Sequence, residues 1–530
     1  MQTTALEIYD TTLRDGSQQE GISLTVGDKL RIAGLLDELG VRYIEGGWPG
    51  ALPKDDEFFR RARTEIPFRH ATLTAFGSTR RPGASAAADP QLKALLDAET
   101  EVICIVGKAW DYHVREALRT DLDEGVRMVA ESIEHLRSHG RRVFFDAEHF
   151  FDGFRSHPEF ALRVARAAVE AGAERVVLCD TNGGTLPDVI TSTIRSVREA
   201  LPDVGVGVHF HNDAGCAVAS SLASVEAGAV QIQGCVNGYG ERTGNADLCA
   251  IIPDLALKMG IPVVGPEQLA KLSPISHHIA EVVNITLDPH RPYVGASAFT
   301  HKAGLHTSAL ARRADAYEHT RPELVGNATR MVVSEQAGRA SILNKARELG
   351  LAMDDEIARQ VLDSVKELEH RGYHFEAADG SFELLVRKAT GWTQDYFRLE
   401  SFRTYIERRA DEQVLAEATV KVFVGGERVV TTGEGVGPVH ALDQALRAAL
   451  RTAYPAVADL RLTDYRVRVL DSSDGTGATV RVLLETSDHL ASWGTIGVHE
   501  NIIEASWEAL VDGLVVGLLR ADGRAAAGKA

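Results

Sequence analysis

The sequence predicts an α/β protein in three parts: a (β/α)8 barrel of the TIM type, a loop-rich and helical middle, and a C-terminal α+β domain of two βββα repeats. Three observations carry that reading. Between Ala5 and about Gly260 a short β-rich run, a loop and a helical stretch recur eight times, the size of an eightfold barrel. No G-x-G-x-x-G follows the first β-rich run, as an open doubly wound dinucleotide-binding sheet would bring. Farther on, Phe397 to about Arg520 reads as three strands and a helix, twice. The boundaries drawn on this basis are 1–262 for the barrel, 263–388 for linker and helical subdomains, and 389–530 for a C-terminal regulatory and dimerisation domain.

The expected barrel strands are Ala5–Asp10, Arg42–Trp48, Arg69–Phe76, Glu101–Val106, Arg142–Glu148, Arg175–Cys179, Val204–His211 and Val230–Val236. Helix-period segments lie between them, among them Thr25–Leu39, Asp123–His139, Pro158–Ala171 and Pro187–Leu201. The last two open with proline, which suits the first helical position. Thr25 or Ser23 is placed to cap the first helix. Beyond Gly260 the pattern changes to a Pro-containing connection, a helix at Ile275–Asn284, an irregular stretch at Pro289–Asn327 and helical Val333–Glu369. The repeat then runs Phe397–Ile406, Glu417–Val424, Glu427–Glu434 and helix Pro438–Arg451, followed by Tyr465–Leu470, Ala478–Thr486, an abbreviated strand near Ser492–Ile496 and helix Asn501–Leu519. The tail Ala521–Ala530 reads as frayed.

Composition narrows the function classes. The 530 residues are 44% hydrophobic and 25% charged, ordinary for a globular chain of several domains. A net charge of −18 argues against wholesale binding to nucleic acid or an acidic membrane, leaving room for a local basic pocket. No apolar run is long enough to span a bilayer, and the N-terminal M-Q-T-T-A-L-E-I-Y-D has no signal-peptide character. Five cysteines without a C-x-x-C read as reduced thiols. The expectation is a cytoplasmic protein.

In an eightfold barrel the strand ends and following loops on one face build the active site. Here those positions are chemically loaded. Strand one is followed by D-T-T-L-R-D-G, strand five ends D-A-E-H, and strand six ends C-D-T-N-G-G. Strand seven carries V-G-V-H-F-H-N-D, and strand eight leads into G-Y-G-E-R-T-G-N-A-D. His209 and His211 stand two apart, so both imidazoles project to one side while Phe210 faces the other. Such a pair can bind one divalent metal and leave room for a carboxylate and substrate oxygens. Taken singly, the glycines could merely shape a turn, Asp180 could cap a helix, and His301, His306 and Tyr317 could be ordinary surface residues. Five loaded loops at one barrel end are hard to explain by structure alone.

Together D-T-T-L-R-D-G-S-Q, H-F-H-N-D, G-Y-G-E-R-T-G-N-A-D and H-K-A-G-L-H resemble the signatures of the α-isopropylmalate, citramalate and homocitrate synthases, which condense acetyl-coenzyme A with a 2-oxo acid. I-E-G-G-W-P-G, F-D-A-E-H-F-F-D-G and W-G-T-I-G-V-H-E-N-I-I-E-A-S-W most resemble the citramalate branch. The resemblance implies Asp15, His209 and His211 as metal ligands (Mn2+, Mg2+ or Zn2+), with Asn245 as a close oxygen partner. It implies Arg14 at the oxo-acid end, Glu148 and Thr181 lining that site, and His306 and Tyr317 handling the acetyl-coenzyme A proton or the developing product. Glu148, His306 and Tyr317 stand as candidate bases. Pyruvate as the oxo acid, isoleucine as feedback inhibitor and a homodimer follow from the same resemblance. Two features depart from it: Ser17 stands where relatives often have Glu, and G-K-A-W-D-Y-H replaces T-S-D-x-H, so that Lys108 or His113 could face the pocket. An isopropylmalate or homocitrate synthase is the nearest alternative, and a 3-hydroxy-3-methylglutaryl-coenzyme A lyase, which resembles the barrel alone, is the alternative of another class.

Overall fold

A computed structural model describes residues 6–302, 309, 313–332, 338–408, 414–470 and 477–527. The chain divides into two compact units, Met1–Phe299 with Thr320–Ala328, and Thr300–His319 with Thr329–Ala530. The first is a closed barrel of eight parallel strands in sequence order. They are β1 (Glu7–Asp10), β2 (Tyr43–Gly47), β3 (Thr72–Ser78), β4 (Val102–Lys108), β5 (Arg142–Glu148), β6 (Arg175–Asp180), β7 (Gly205–Phe210) and β8 (Gln231–Gly234). β8 closes on β1 with Asp10 opposite Gly234.

Local chemistry explains the helices between the strands. Thr25, not Ser23, caps Val26–Leu39, and Asp28 completes a reciprocal capping box. Pro158 and Pro187 occupy first helical positions, where no hydrogen-bonding N–H is needed. Strand alternation sorts side chains into two cores. Val206, Val208 and Phe210 join the layer between sheet and helices. Tyr9, Tyr43, Phe76, Cys104 and Phe144 form a smaller cluster of their own. There Tyr43 meets Phe144 edge-on at 5.1 Å, a favoured aromatic geometry. The unit continues past residue 262 because helix Leu272–Val282 buries Leu272, Ile275 and Ile279 in the same core.

The second unit begins with a short parallel pair, β9 (Thr300–His301) and β10 (Arg330–Met331). The expected helix over Val333–Glu369 is two helices, Arg339–Glu348 and Asp355–His370, with residues 333–337 outside the described set. Asp354 ends the break by accepting from the N–H groups of Glu356 and Ile357. The repeat is confirmed as two antiparallel sheets. β11 (Phe397–Arg408), β12 (Val414–Val424) and β13 (Glu427–Gly435) precede helix Pro438–Leu450; β14 (Arg461–Val469), β15 (Val480–Ser487) and β16 (Ser492–His499) precede helix Ile502–Ala527.

Two expectations need correction here. β16 is a full eight-residue strand, not an abbreviated one. Its Gly494 and Gly497 lower intrinsic strand preference but serve close packing, because a Cβ on Gly497 would lie 2.0 Å from the Ala505 carbonyl oxygen. The last helix also runs to Ala527, since its alanine-rich end has high helix propensity. All five cysteines are free, and four are buried. No described helix is long and apolar enough to cross a membrane.

Candidate active site at the barrel mouth

All eight barrel strands or their following loops send side chains to one cavity of about 440 Å³. It is lined by Arg14 and Asp15 after β1, Trp48 after β2, Lys108 on β4, Glu148 on β5, Thr181 after β6 and the two histidines of β7, among others. His209 is the inward residue of β7, and His211 lies just past the strand end in a bridge to Asn245. Their rings are 5.3 Å apart. Asp15 Oδ2 lies 3.1 Å from His209 Nε2 and 3.8 Å from His211 Nε2. One ligand atom from each of the three falls within 4.8 Å of the others, a spacing that one divalent ion can span. Asn245 is buried, and its Oδ1 has no hydrogen-bond partner in the described structure, while its Nδ2 donates to the Tyr239 carbonyl. A buried orphan acceptor beside the triad suits a cation or a substrate donor.

Electrostatics favours this donor set. Burial opposes charge on Asp15, yet the Arg14 guanidinium and the hydrogen bond with His209 hold its carboxyl well below the usual carboxylate range. Burial also works against a charged His209, but Asp15 outweighs it and raises this imidazole. His211 is pushed down to about 4 by burial and by the neighbouring His209, so its ring is neutral at physiological pH.

Arg14 is built into place. Its Nε donates to Glu45 Oε1 at 2.5 Å, its Nη1 is 3.3 Å from Asp15 Oδ1, and its guanidinium stacks 3.7 Å over the Phe76 ring. Tyr9 donates to the other Glu45 oxygen at 2.7 Å. Burial raises Glu45, and the adjacent Arg14 opposes the rise. A guanidinium fixed on three sides offers its remaining N–H groups in one direction.

The structure brings Arg14, Asp15, Glu148, Thr181, His209 and His211 to the same cavity, with Asn245 against them. Glu148 pairs with Lys108, which also lines the cavity. Thr181 Oγ1 accepts from the His149 N–H at 2.9 Å. His113 instead stacks on Trp110 at 5.0 Å and meets His149 at 4.2 Å. Tyr317 belongs to the second unit and is 48% exposed. His306 lies outside the described residues. Sequence reasoning missed Glu45 and Gln233, both fully buried. A lone carboxylate inside the apolar strand Y-I-E-G-G, and glutamines two apart in Q-I-Q-G, were the available signals.

Comparison with known proteins gives this cavity its context. Residues 5–279 match the HMGL-like family, 293–373 the homocitrate synthase post-HMGL domain-like family, and 376–517 the LeuA allosteric (dimerisation) domain. The chain is 55% identical to the (R)-citramalate synthase of Streptomyces coelicolor, covering 98% of this chain and 97% of that one. It is 51% identical to the Aquifex aeolicus (R)-citramalate synthase, covering 97% and 98%. The chain belongs to the (R)-citramalate synthase family. The expected resemblance and the three-part fold are thereby borne out. Relatives of the family extend to a probable 2-isopropylmalate synthase of Methanopyrus kandleri, 35% identical over 96% of this chain and 97% of that one. Identity thus falls by 20 points between the Streptomyces citramalate synthase and a relative named for another product.

Proposed function

We propose that this chain is a citramalate synthase, an acyltransferase that condenses acetyl-coenzyme A with pyruvate and hydrolyses the thioester to (R)-citramalate and coenzyme A, on a route to isoleucine in the cytoplasm. The observation that carries the reading is the Asp15–His209–His211 set beside a fixed Arg14, in a chain matching named citramalate synthases end to end. Asp15, His209 and His211 would hold the divalent ion, Mn2+, Mg2+ or Zn2+, with Asn245 Oδ1 as a further oxygen. That ion supplies Lewis-acid stabilisation of the negative charge growing on a ketone oxygen under attack. Arg14 meets the oxo-acid carboxylate and the developing oxyanion with the N–H groups that Glu45 leaves free. Glu148 is the described candidate for taking a methyl proton from the acetyl thioester, with Lys108 paired to it in the cavity. His306 and Tyr317 remain candidates for the same proton or for protonating the product. The methyl carbon, freed of that proton, attacks the keto carbon, and water then cleaves the thioester. Arg81 at the rim, exposed and without an ion pair among the described residues, suits the phosphates of coenzyme A.

The regulatory part of the reading rests on the second unit. A cavity of about 660 Å³ lies between helix Pro438–Leu450, β14 and helix Ile502–Ala527, with Val439, Leu462, Leu484 and Leu510 on its walls. Its aliphatic wall suits the side chain of isoleucine as an inhibitor, and the charged residues on its other side suit the amino-acid end. Exposed Leu462, Val467 and Val469 along β14 suit a homodimer contact. The deciding experiment is thiol release from acetyl-coenzyme A with pyruvate, 2-oxobutyrate, 2-oxoisovalerate and 2-oxoglutarate in parallel. Pyruvate should give the highest kcat/KM; preference for 2-oxoisovalerate would make the chain an isopropylmalate synthase. A lyase would release no thiol from acetyl-coenzyme A with any of these acids, and would instead consume its own acyl-coenzyme A substrate without needing an oxo acid.

A further inference from the structure

The roles assigned so far leave Gln233 and Asp146 unused, although both are buried and Asp146 lines the cavity. His209 on β7 pairs in register with Gln233 on β8, so the sheet itself sets their contact. His209 Nδ1 lies 2.8 Å from Gln233 Oε1. Gln233 Nε2 donates to Asp146 Oδ1 at 3.0 Å, and the Cys104 thiol donates to the same oxygen at 3.1 Å. Burial raises Asp146, and the nearby His209 together with these donors opposes the rise.

Donor and acceptor rules give this line of contacts one direction. A carboxylate only accepts, so the Gln233 amide must turn its NH2 toward Asp146. Its Oε1 then faces the imidazole, and since that oxygen only accepts, Nδ1 must carry a hydrogen. In the neutral ring Nε2 is left with its lone pair, 3.1 Å from Asp15 Oδ2. His211 shows no such restraint, because its buried Nδ1 has no hydrogen-bond partner among the described residues. The two histidines of H-x-H therefore differ: one ring is set by the strand beside it, and the other is not.

We infer that Gln233, anchored by Asp146, is a positioning residue that fixes His209 in the tautomer whose Nε2 faces the metal position. The inference rests on the metal reading under the proposed function, and its test is chosen so that the two can fail separately. The probe is Mn2+ alone, titrated into the purified full-length protein without substrates. Wild type that binds no Mn2+ overturns the metal reading itself. Where wild type binds, Gln233→Met should weaken binding about 10- to 100-fold, the usual effect of losing a residue that orients a metal-binding imidazole. Gln233→Glu should recover most of it, because a carboxylic acid can accept from His209 through one oxygen and donate to Asp146 through the other. Asp146→Ala leaves Gln233 in place but frees its amide to turn, and should weaken binding by about tenfold. This second variant keeps the test open where Gln233→Met does not fold. Nitrogen-15 NMR of the metal-free protein at pH 9, with the His209 signal identified from a His209→Gln sample, gives a readout independent of metal. Wild type should show the hydrogen on Nδ1, and Asp146→Ala a mixture of tautomers. Unchanged Mn2+ affinity in the Met and Ala variants, or a wild-type signal with the hydrogen on Nε2, overturns the inference.

Discussion

The barrel cavity, of about 440 Å³, and the cavity of the C-terminal repeat, of about 660 Å³, differ in composition, the second having an aliphatic wall. Around the barrel cavity Asp15, Glu45, Asp146, His209 and His211 are all buried, and each has a charged or amide partner within hydrogen-bonding or ion-pairing reach. In the repeat Val439, Leu460, Leu462, Leu484 and Leu510 form an aliphatic wall, and the polar side carries Arg461 beside the Asp443–Arg447 pair at 2.7 Å. Buried charge is costly unless paired, so a site that keeps so much of it must be held by geometry. An aliphatic wall discriminates by shape, and each misfit methylene is worth only about 1–3 kcal/mol. The first kind of cavity fits making bonds; the second fits sensing a small apolar molecule.

That contrast breaks most visibly at the metal ligands. His209→Ala is expected to lower kcat by about 10³-fold or more, since it removes a group that holds the charge-stabilising ion. A chelator should abolish turnover of wild type, and Mn2+ or Mg2+ should restore it in wild type only, as followed by thiol release. Full turnover by chelated protein would contradict the reading. Arg14→Lys should cost about 10²-fold in kcat/KM, because an ammonium cannot pair with Glu45 and still present a planar fork to substrate.

An acid in the repeat offers a sharper comparison, since among the described residues the Asp512 carboxyl accepts a side-chain hydrogen bond from Ser381 alone, at 2.7 Å. Burial pushes it up to about 6, above its ordinary 3.8. A carboxyl raised on folding binds its proton more tightly in the native state, so stability is full below about pH 3.8 and falls as pH rises toward 6. Asp512→Asn should therefore match wild type at pH 4 and exceed it by about 1–2 kcal/mol at pH 7.5 in thermal or urea unfolding. Equal gains at both pH values would show that ionisation is not the cause. The smallest expected effect is in the cavity of the repeat. Val439→Trp should raise the isoleucine concentration for half-inhibition about tenfold while kcat stays within twofold, in keeping with ordinary allosteric coupling of about 1–3 kcal/mol. Isoleucine competing directly with pyruvate would remove the distinction between the two cavities.

Much of this was legible before any coordinates, for reasons that differ by residue. The eight strands announce themselves as local apolar runs, and H-x-H states its own geometry because strand alternation is fixed. Arg14 and Asp15 were legible from their motif. Glu45 and Gln233 were not, because their meaning comes from closure of the sheet. Residue 45 reaches Arg14 and Tyr9 across 31 and 36 positions of sequence, and Gln233 reaches Asp146 across 87. The length of β16 was hidden for a different reason. Strand preference penalises glycine, whereas Gly494 and Gly497 make room for backbone packing against Ala377 and Ala505. Gly435 ends β13, and Gly497 lies inside β16.

The division of the chain carries a consequence for its ancestry. The barrel unit takes back Thr320–Ala328 after the second unit has already begun at Thr300. That short return is not a loose thread: Val325 is fully buried in the barrel core, and the Asn327 amide donates to the carbonyls of Tyr293 and Gly295. A gene cut anywhere between the two units therefore separates one of them from part of itself. Recombination that swaps whole units between relatives would need three crossovers, one at each junction, or a partner whose own returning segment fits the foreign barrel. The interleaving ties catalytic and regulatory parts into one heritable piece, so effector specificity is expected to change by substitution within the lineage far more readily than by exchange of domains.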